Sequence, residues 1–270
     1  RIDDVFWLRP GLNGRTFVLN LLDCQHGRTS RSPAVLCNEL IRIFDRLYDL
    51  HAVGGPVFEQ YMRGAALLVM ENARPRGTLL DIIRLFEDDQ FRDELLKTCT
   101  NTIVVEFWRK TASRATGELS LRAIAPYITS KLTSFVTTES MRSIVAQATS
   151  TIDFREVMDR RAIVLLDLSI GSIGVAEAQL LGMLAHGKLF ASALERVSDG
   201  VADAPPLRVY VDEAQLFGTE TLAESLAQAR KGGLSFVLAN QNLAQLRTSR
   251  IGSRLLESVL GNAGSFIVFR

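Results

Sequence analysis

Two kinds of hydrophobic pattern divide the chain. Between residues 32 and 150, apolar side chains recur at three- and four-residue spacing nearly throughout, as in Leu36, Leu40, Ile43 and Leu47. This spacing is typical of amphipathic helices. A first helix is expected to begin at Ser32-Pro33, where a capping residue precedes a proline. Further helices are predicted around 56–72, 78–86, 89–98, 101–114, 120–135 and 138–148.

After residue 152 the pattern changes to short apolar runs separated by helical segments. The runs at 162–169, 207–211, 234–241 and 265–270 predict strands, and a run at 5–8 and an extended segment at 16–23 resemble them. Helices are predicted between these strands, at 175–197, 219–231 and 251–264. Apolar strands that alternate with helices are typical of a parallel sheet covered by helices.

The two patterns together predict an α/β fold with an inserted helical domain. Residues 1–31 and 151–270 would form a parallel sheet with helices on both faces. Residues 32–150 would form an all-helical insertion between them. A short crossover between the strands at 207–211 and 234–241 favours neighbouring positions for these two strands in the sheet.

Composition narrows the class of protein only a little. The apolar fraction of 47% and the charged fraction of 23% are ordinary for a globular protein. A net charge of +1 means that any nucleic-acid surface must be a local patch. The three cysteines have no paired spacing and predict free thiols in a reducing cytoplasm.

The sequence was also searched for targeting and membrane segments and for how its two ends fall in the predicted elements. No signal peptide is present, and no apolar run is long enough to span a bilayer. The chain begins with Arg1 rather than Met, and both ends fall in apparent strands. We therefore expect a piece of a longer protein, with no membrane contact from this segment.

The strongest chemical signal is the stretch LRVYVDEAQLF, in which an apolar run ends in Asp212 and Glu213. Ligands of parallel sheets bind at the carboxyl ends of the strands. One carboxylate there could hold Mg²⁺, and the other could orient or deprotonate a water that attacks a terminal phosphate. The alternative is an ordinary strand end with a helix-capping Asp-Glu pair.

Two downstream residues strengthen the nucleotide interpretation. Gln241 ends the next predicted strand, so it could stand beside the carboxylates and hydrogen-bond a phosphate oxygen and the attacking water. Arg230 lies at the end of the intervening helix, before Gly232-Gly233. Arg230 could complete a site on a neighbouring subunit, or it could simply complement the helix dipole, as Lys231 could.

At this constellation the chain resembles the HerA/FtsK-type hexameric ATPases, and among them the conjugative coupling proteins and related type IV secretion ATPases. The resemblance rests on VYVDEAQLF, LAQARKGGLSFVLANQNLAQL and LLESVLGNAGSFIVFR, and it is specific from about Ala162 onward. Weaker similarity covers the upstream helical region. The resemblance to this family implies a RecA-like motor core, a homo-oligomeric hexameric ring, DNA as substrate, and secretion or nuclease partner proteins.

The resemblance also implies roles for individual residues, with ATP and Mg²⁺ as cofactors. Asp212 would be the magnesium-linked Walker B acid, and Glu213 would polarise the hydrolytic water. Gln241 would be the sensor glutamine, and Arg230 the arginine finger. Arg270 would match a second arginine that acts on a neighbouring subunit.

One departure from the family pattern is large, because the sequence contains no GxxxxGK[ST] phosphate-binding loop. The segment HGKLF, with Lys188, lacks the first glycine and the hydroxyl residue. Either the loop lies upstream of Arg1, or the protein is a degenerate ATPase. We expect residues 1–270 alone neither to bind ATP tightly nor to hydrolyse it.

The best local basic cluster is LRTSRIGSR, which carries Arg247, Arg250 and Arg254 and follows Gln241. A second cluster, HGRTSRS, carries Arg28 and Arg31. No aromatic residues alternate with these arginines, so we expect sequence-independent, salt-dependent phosphate contacts. The alternative for each arginine is a solvated surface position.

Three functional hypotheses follow. The first is an ATP-driven DNA motor core without its phosphate loop. The second is a non-hydrolysing adaptor or DNA-binding subunit derived from such an ATPase. The third is an unrelated parallel α/β enzyme that uses Asp212 and Glu213 as metal ligands. A Walker A loop in the upstream reading frame would favour the motor over the adaptor. Within the motor class, an upstream transmembrane pair would indicate a secretion coupling protein of the inner membrane.

Overall fold

The fold consists of short strands among many helices. The computed structural model describes residues 4–11, 16–26, 29–30, 32–50, 55–72, 76–201, 205–247 and 252–269. Its strands are β1 (Val5–Leu8), β2 (Gln25–His26), β3 (Thr29–Ser30), β4 (Ile163–Leu166), β5 (Leu207–Val211) and β6 (Leu234–Leu238). Its first seven α-helices are α1 (Pro33–Tyr48), α2 (Gly55–Asn72), α3 (Leu79–Glu87), α4 (Asp89–Thr98), α5 (Thr102–Glu106), α6 (Leu121–Thr133) and α7 (Glu139–Val145). The remaining six are α8 (Phe154–Arg160), α9 (Ile170–Ile173), α10 (Val175–Ser198), α11 (Glu220–Gln228), α12 (Leu243–Arg247) and α13 (Gly252–Asn262).

The chain forms two compact units. One unit comprises Arg1–Phe6, Phe154–Leu165 and Ala178–Arg270, and it contains β5 and β6. The other comprises Trp7–Asp153 and Leu166–Glu177, and it contains helices α1 to α7.

The helical unit confirms most of the predicted helices. Ser32 is the N-cap of α1 and Pro33 its first residue, as the sequence predicts. The predicted helix at 101–114 is different, because α5 ends at Glu106 and a π-helix, Phe107–Ala112, follows it. A π turn is wider than an α turn and rotates the residues that follow it. Phe107 and Trp108 are both buried here, and the Trp108 indole N–H donates to the carbonyl of Gly64 at 3.1 Å.

The extended segment predicted at 16–23 is not a strand. Its described residues make no ladder, although Asn20 and Asp23 are buried. Their side chains bind backbone groups of other loops: the Asn20 amide donates to Gly77 and Ala148 carbonyls, both at 2.9 Å, and Asp23 accepts from the Ser150 N–H at 3.1 Å. Its partners are loops and the α7 helix, where the Ile144 carbonyl accepts from the Leu19 N–H at 2.9 Å, so the segment packs as irregular chain.

The strands do not form one sheet among the described residues. They form three two-stranded sheets, in which β1 pairs with β4, β2 with β3 and β5 with β6. The predicted cover on both faces is also wrong for β5 and β6, because Tyr210 is 70% exposed and Val237 is 49% exposed. The helices α11 and α13 pack against one face only, where Leu222, Leu255 and Phe236 contribute to a core cluster.

The strand predicted at 265–270 is wrong for its described residues. Residues 265–269 have no strand conformation, and Phe266, Ile267, Val268 and Phe269 are 57% to 88% exposed. An apolar run becomes a strand only when a neighbouring strand accepts its backbone hydrogen bonds. Among the described helices, none combines the length and the apolarity needed to cross a membrane.

Candidate functional site

The candidate site lies where β5 and β6 end side by side. The two strands are parallel, with Leu207 opposite Leu234 and Val211 opposite Leu238. The pairing continues past the strands, because the Ala239 N–H donates to the Val211 carbonyl at 2.9 Å and the Ala214 N–H donates to the Ala239 carbonyl at 3.0 Å. The residues after both strands are therefore held together by backbone hydrogen bonds.

The chain turns sharply at the carboxylate pair. Glu213 has a left-handed backbone with φ 49°, and it precedes a 3₁₀ helix, Ala214–Phe217. Its N–H donates to Oδ1 of Asp212 at 3.0 Å. The Asp212 residue is exposed, whereas Glu213 is half-buried. The two adjacent carboxylates thus lie in different surroundings, as separate roles would require.

Both carboxylate oxygens of Glu213 accept a hydrogen bond from a glutamine amide. The Gln241 side-chain N–H donates to Oε1, which brings together two residues that the sequence placed at neighbouring strand ends. The Gln215 side-chain N–H donates to Oε2. Gln215 was not selected from the sequence. The signal that could have indicated Gln215 is its spacing, since it follows Glu213 by two residues in the turn after β5.

The turn that follows β5 is closely packed against its neighbours. Ala214 and Gly218, at the two ends of the 3₁₀ segment, are buried, and a Cβ atom on Gly218 would lie 2.6 Å from the Leu255 side chain. Thr219 immediately precedes α11, and its hydroxyl accepts from the Leu222 N–H at 3.2 Å. Side-chain capping of this kind fixes where a helix begins. The turn after β5 is thereby held between β6 and α13.

Arg230 does not contact the hydrogen-bonded group of Glu213, Gln215 and Gln241. It lies in a 3₁₀ helix, Ala229–Gly232, that follows α11, rather than in the last turn of the α-helix itself. Its side chain is exposed and makes no ion pair or hydrogen bond with the described residues, whereas its backbone carbonyl accepts from the Gly233 N–H at 3.1 Å. Both sequence interpretations, a helix-end charge and a residue for a neighbouring subunit, are compatible with this position.

The basic cluster is described only at Arg254. This residue lies in α13, its side chain is 74% exposed, and its guanidinium is 3.0 Å from a carboxylate oxygen of Glu220. The side chain of Arg247 lies outside the described part of the structure. Arg250, Arg270, Arg28 and Arg31 also lie outside it.

A third strand ends in a carboxylate that sequence reasoning passed over. Asp167 follows β4 and accepts a hydrogen bond from the Ser169 N–H at 3.2 Å, and Arg9 lies 3.4 Å away. The Ser169 hydroxyl also donates to this carboxylate, and mainly for that reason the pKa of Asp167 lies below its ordinary value. Asp167 is engaged locally, unlike the exposed Asp212.

The residues at the β5 and β6 ends suit a magnesium ion that is shared with a substrate. Within the described ranges, no group of three or more His, Cys, Asp or Glu side chains could hold a metal ion. Mg²⁺ commonly binds one or two protein carboxylates and takes its remaining ligands from phosphates and water. Asp212 fits that pattern, but the sequence supplies no phosphate-binding loop beside it.

No family model matches the chain, and no curated protein sequence matches it. Its fold matches solved structures. The plasmid coupling protein TrwB in complex with ADP and Mg²⁺ matches with a TM-score of 0.56 at 16% identity, over 96% of this chain and 57% of that chain. The unbound monoclinic form of the bacterial conjugative coupling protein TrwBdeltaN70 has a TM-score of 0.58 at 16% identity, over 96% and 56%.

A third structure, TrwB in complex with the non-hydrolysable GTP analogue GDPNP, matches with a TM-score of 0.57 at 16% identity, over 96% of this chain and 57% of that chain. This chain therefore spans a little over half of the length of the solved chains. At this identity the similarity concerns the fold.

Proposed function

We propose that this chain is part of an ATP-driven DNA-translocating motor of the conjugative-coupling or HerA-like type. The observation that carries the proposal is the hydrogen bond from Gln241 to Glu213 at the adjoining ends of parallel β5 and β6. A carboxylate and an amide in contact at this edge of a sheet can together orient a water and report the state of a phosphate.

The fold supports this proposal. The solved structures with this fold are named as coupling proteins, and two of them are complexes with ADP and Mg²⁺ or with GDPNP. We therefore propose a RecA-like core, with ATP and Mg²⁺ as cofactors. DNA is the proposed substrate and a hexameric ring the proposed assembly.

The proposed roles follow the surroundings of each side chain. Asp212, which is exposed, would hold Mg²⁺, and Glu213, which is half-buried, would polarise the water. Gln241 would sense the terminal phosphate. Arg230, which is exposed, would act on the site of a neighbouring subunit, and Arg270 is assigned a similar role from sequence alone. The bound metal supplies charge neutralisation on the phosphates.

A nucleotide titration tests the proposal on this chain itself. Residues 1–270 contain no phosphate-binding loop, so fluorescent Mg-ATP is expected to bind weakly and to remain unhydrolysed. A micromolar affinity would contradict this expectation, because it would require a phosphate site that the sequence motifs do not provide.

The role of Glu213 is tested in a longer protein that includes a phosphate-binding loop. Glu213→Gln should leave ATP binding intact and lower hydrolysis by roughly 100-fold or more, since general-base catalysis contributes at least that much. Asp167→Asn is the matched control, because Asp167 also follows a strand but is bound by Ser169. Strong, DNA-independent hydrolysis in Glu213→Gln would exclude the motor and favour an unrelated α/β enzyme.

The second candidate is a non-hydrolysing adaptor or DNA-binding subunit derived from such an ATPase. Such a subunit would not need the GxxxxGK[ST] motif, which residues 1–270 do not contain. The full open reading frame separates the two candidates. A Walker A loop within about a hundred residues before Arg1 supports the motor, because this loop opens the first βα unit of such a core. A complete reading frame without that loop supports the adaptor.

A further inference from the structure

The two oxygens of the Glu213 carboxylate have partners of different kinds. Oε2 accepts from Gln215, which lies two residues away in the same 3₁₀ segment. Oε1 accepts from Gln241, which lies beyond a different strand. We propose that Gln215 is a positioning residue that anchors Glu213, while Gln241 is the partner that exchanges. This inference rests on the proposed function, because it assigns a task to a side chain beside the proposed base.

The anchoring role follows from the hydrogen-bonded turn in which Gln215 lies. It is half-buried in the segment Ala214–Phe217, whose first residue is 1% exposed and is tied to β6 through the bond from the Ala214 N–H to the Ala239 carbonyl at 3.0 Å. The Leu216 N–H donates to the Glu213 carbonyl at 2.9 Å. Gln215 and Glu213 therefore belong to one hydrogen-bonded turn, and their hydrogen bond joins two residues of the same segment.

The exchanging role follows from the exposure of Gln241. This residue is exposed, and the next residue, Asn242, directs its own side chain to the Ala244 N–H at 2.8 Å to begin α12. Gln241 thus lies at an exposed position in the connection between β6 and α12. Its amide can leave Glu213 through side-chain rotation alone, since no described hydrogen bond ties that amide to another residue.

Exchange at one oxygen has a chemical consequence. While both amides are bound, neither oxygen of Glu213 is free of a protein donor. When Gln241 turns to a phosphate, Oε1 becomes available to accept a hydrogen bond from a water. Gln215 meanwhile keeps the carboxylate directed to the end of β6. Catalytic side chains of this kind depend on partners that fix their orientation.

Nuclear magnetic resonance of residues 1–270 tests the contact without any catalytic activity. The side-chain amide signals of Gln215 and Gln241 are assigned from their disappearance in Gln215→Ala and Gln241→Ala. In Glu213→Ala both pairs of signals should shift, and in the control Glu118→Gln, which changes an exposed carboxylate of the helical unit, neither pair should. Unmoved Gln215 signals in Glu213→Ala would overturn the proposal.

Two further variants separate anchor from exchanging partner. The Gln215 signals should remain in place in Gln241→Ala, whereas the Gln241 signals should move in Gln215→Ala. If the Gln215 signals move as far in Gln241→Ala as in Glu213→Ala, the anchoring role is overturned. Should Glu213→Ala perturb the backbone signals of β5, Glu213→Leu replaces it, because leucine fills similar space without an acceptor, and the same shifts are expected.

In a longer protein with a phosphate loop, Gln215→Ala should lower kcat roughly tenfold with little change in KM for ATP, because a hydrogen bond to a charged group is lost. Gln215→Asn, which retains the amide donor, should recover part of that loss. An unchanged kcat, or equal losses in both variants, overturns the positioning role. If the wild-type protein hydrolyses no ATP, the proposed function fails, whereas the amide signals still decide whether Gln215 anchors Glu213.

Discussion

The α10 helix passes so close to Gly232 that a Cβ atom at this position would lie 2.3 Å from the carbonyl oxygen of Ala193. A backbone atom cannot yield as the end of a flexible side chain can. Gly232 immediately precedes the turn into β6, which leads to Gln241. The close packing of α10 against this turn therefore helps to set the position of one strand of the candidate site.

Gly232→Ala should destabilise the protein by ~1–3 kcal/mol, because the added methyl group overpacks a site that is closed by backbone. Chemical denaturation measures this change. Gly261→Ala is the matched control, since nothing lies within 4 Å of a Cβ atom at that helical position. The control should be as stable as the wild type or slightly more stable. Equal stability of both variants would contradict the packing argument.

The free energy of unfolding should decrease as the pH is lowered through a range that is set by His186. Burial lowers the pKa of this imidazole from 6.5 to about 4, its Nε2 lies 3.1 Å from the Ser225 hydroxyl, and its Nδ1 is buried without a partner in the described structure. The unfolded chain therefore binds the extra proton at a higher pH than the folded chain. The contribution is complete above pH 6.5, and it is lost as the pH falls toward 4, by ~3 kcal/mol in all.

Urea denaturation between pH 6.5 and 4 measures this window. His186→Phe keeps an aromatic ring beside Phe190, whose ring stacks on His186. The variant should show a shallower loss of stability in this range, while Asp159 and Asp167, whose pKa values are lowered, retain their own dependence at more acidic pH. An identical slope in the variant and the wild type would exclude His186 as the source.

Asn20→Ala should cost ~3–5 kcal/mol. The Asn20 side chain is 0% exposed, donates to the Gly77 and Ala148 carbonyls and accepts from the Leu22 N–H. Its removal leaves three buried backbone groups without their partner, and each such group costs about 1–3 kcal/mol. Asn262→Ala, at an exposed helix end, is the control and should cost less than about 0.5 kcal/mol. Similar losses in both would show that the network contributes little.

The proposed role of Arg230 predicts complementation between inactive variants of a longer, loop-bearing protein. Arg230→Ala and Glu213→Gln should each lose most ATP hydrolysis. A mixture of the two should recover part of it, since some subunit interfaces then combine an intact Glu213 with an intact Arg230. Coupled ATPase assays measure the recovery. A mixture no more active than either variant would assign Arg230 to its own subunit or to the helix dipole.

The proposed DNA surface makes a salt-dependence prediction at Arg254. Arg254→Gln should weaken DNA binding and reduce the salt slope by about 1, because one phosphate contact is removed. Glu220→Gln should strengthen binding, since it frees Arg254 from a carboxylate that lies 3.0 Å away. Fluorescence anisotropy over a salt series measures both. The control Arg122→Gln, at an exposed position of the helical unit, should leave the slope unchanged, and an equal effect there would remove the assignment.

The site could be predicted from the sequence only in part. Strand-end reasoning placed Glu213 and Gln241 near each other, because parallel neighbours end at the same edge of a sheet, and the structure joins them. The sequence did not predict Gln215 as a site residue, because a glutamine in a turn belongs to no periodic pattern. The sequence predicts Arg254 as a phosphate contact or a solvated surface position, and it does not indicate the partner Glu220, which is distant in sequence and comes close through the packing of α13 against α11.

By itself the sequence determined the local elements: the helices follow from three- and four-residue apolar spacing, and the sharp end of β5 follows from an apolar run closed by Asp212 and Glu213. Only the tertiary structure decided which apolar runs became strands and which faces were covered. The runs at 16–23 and 265–269 are as apolar as β6, but among the residues that the structure describes only β6 of these three has a neighbouring strand that completes its backbone hydrogen bonds. Such partners come from elsewhere in the chain, so local periodicity carries no record of them.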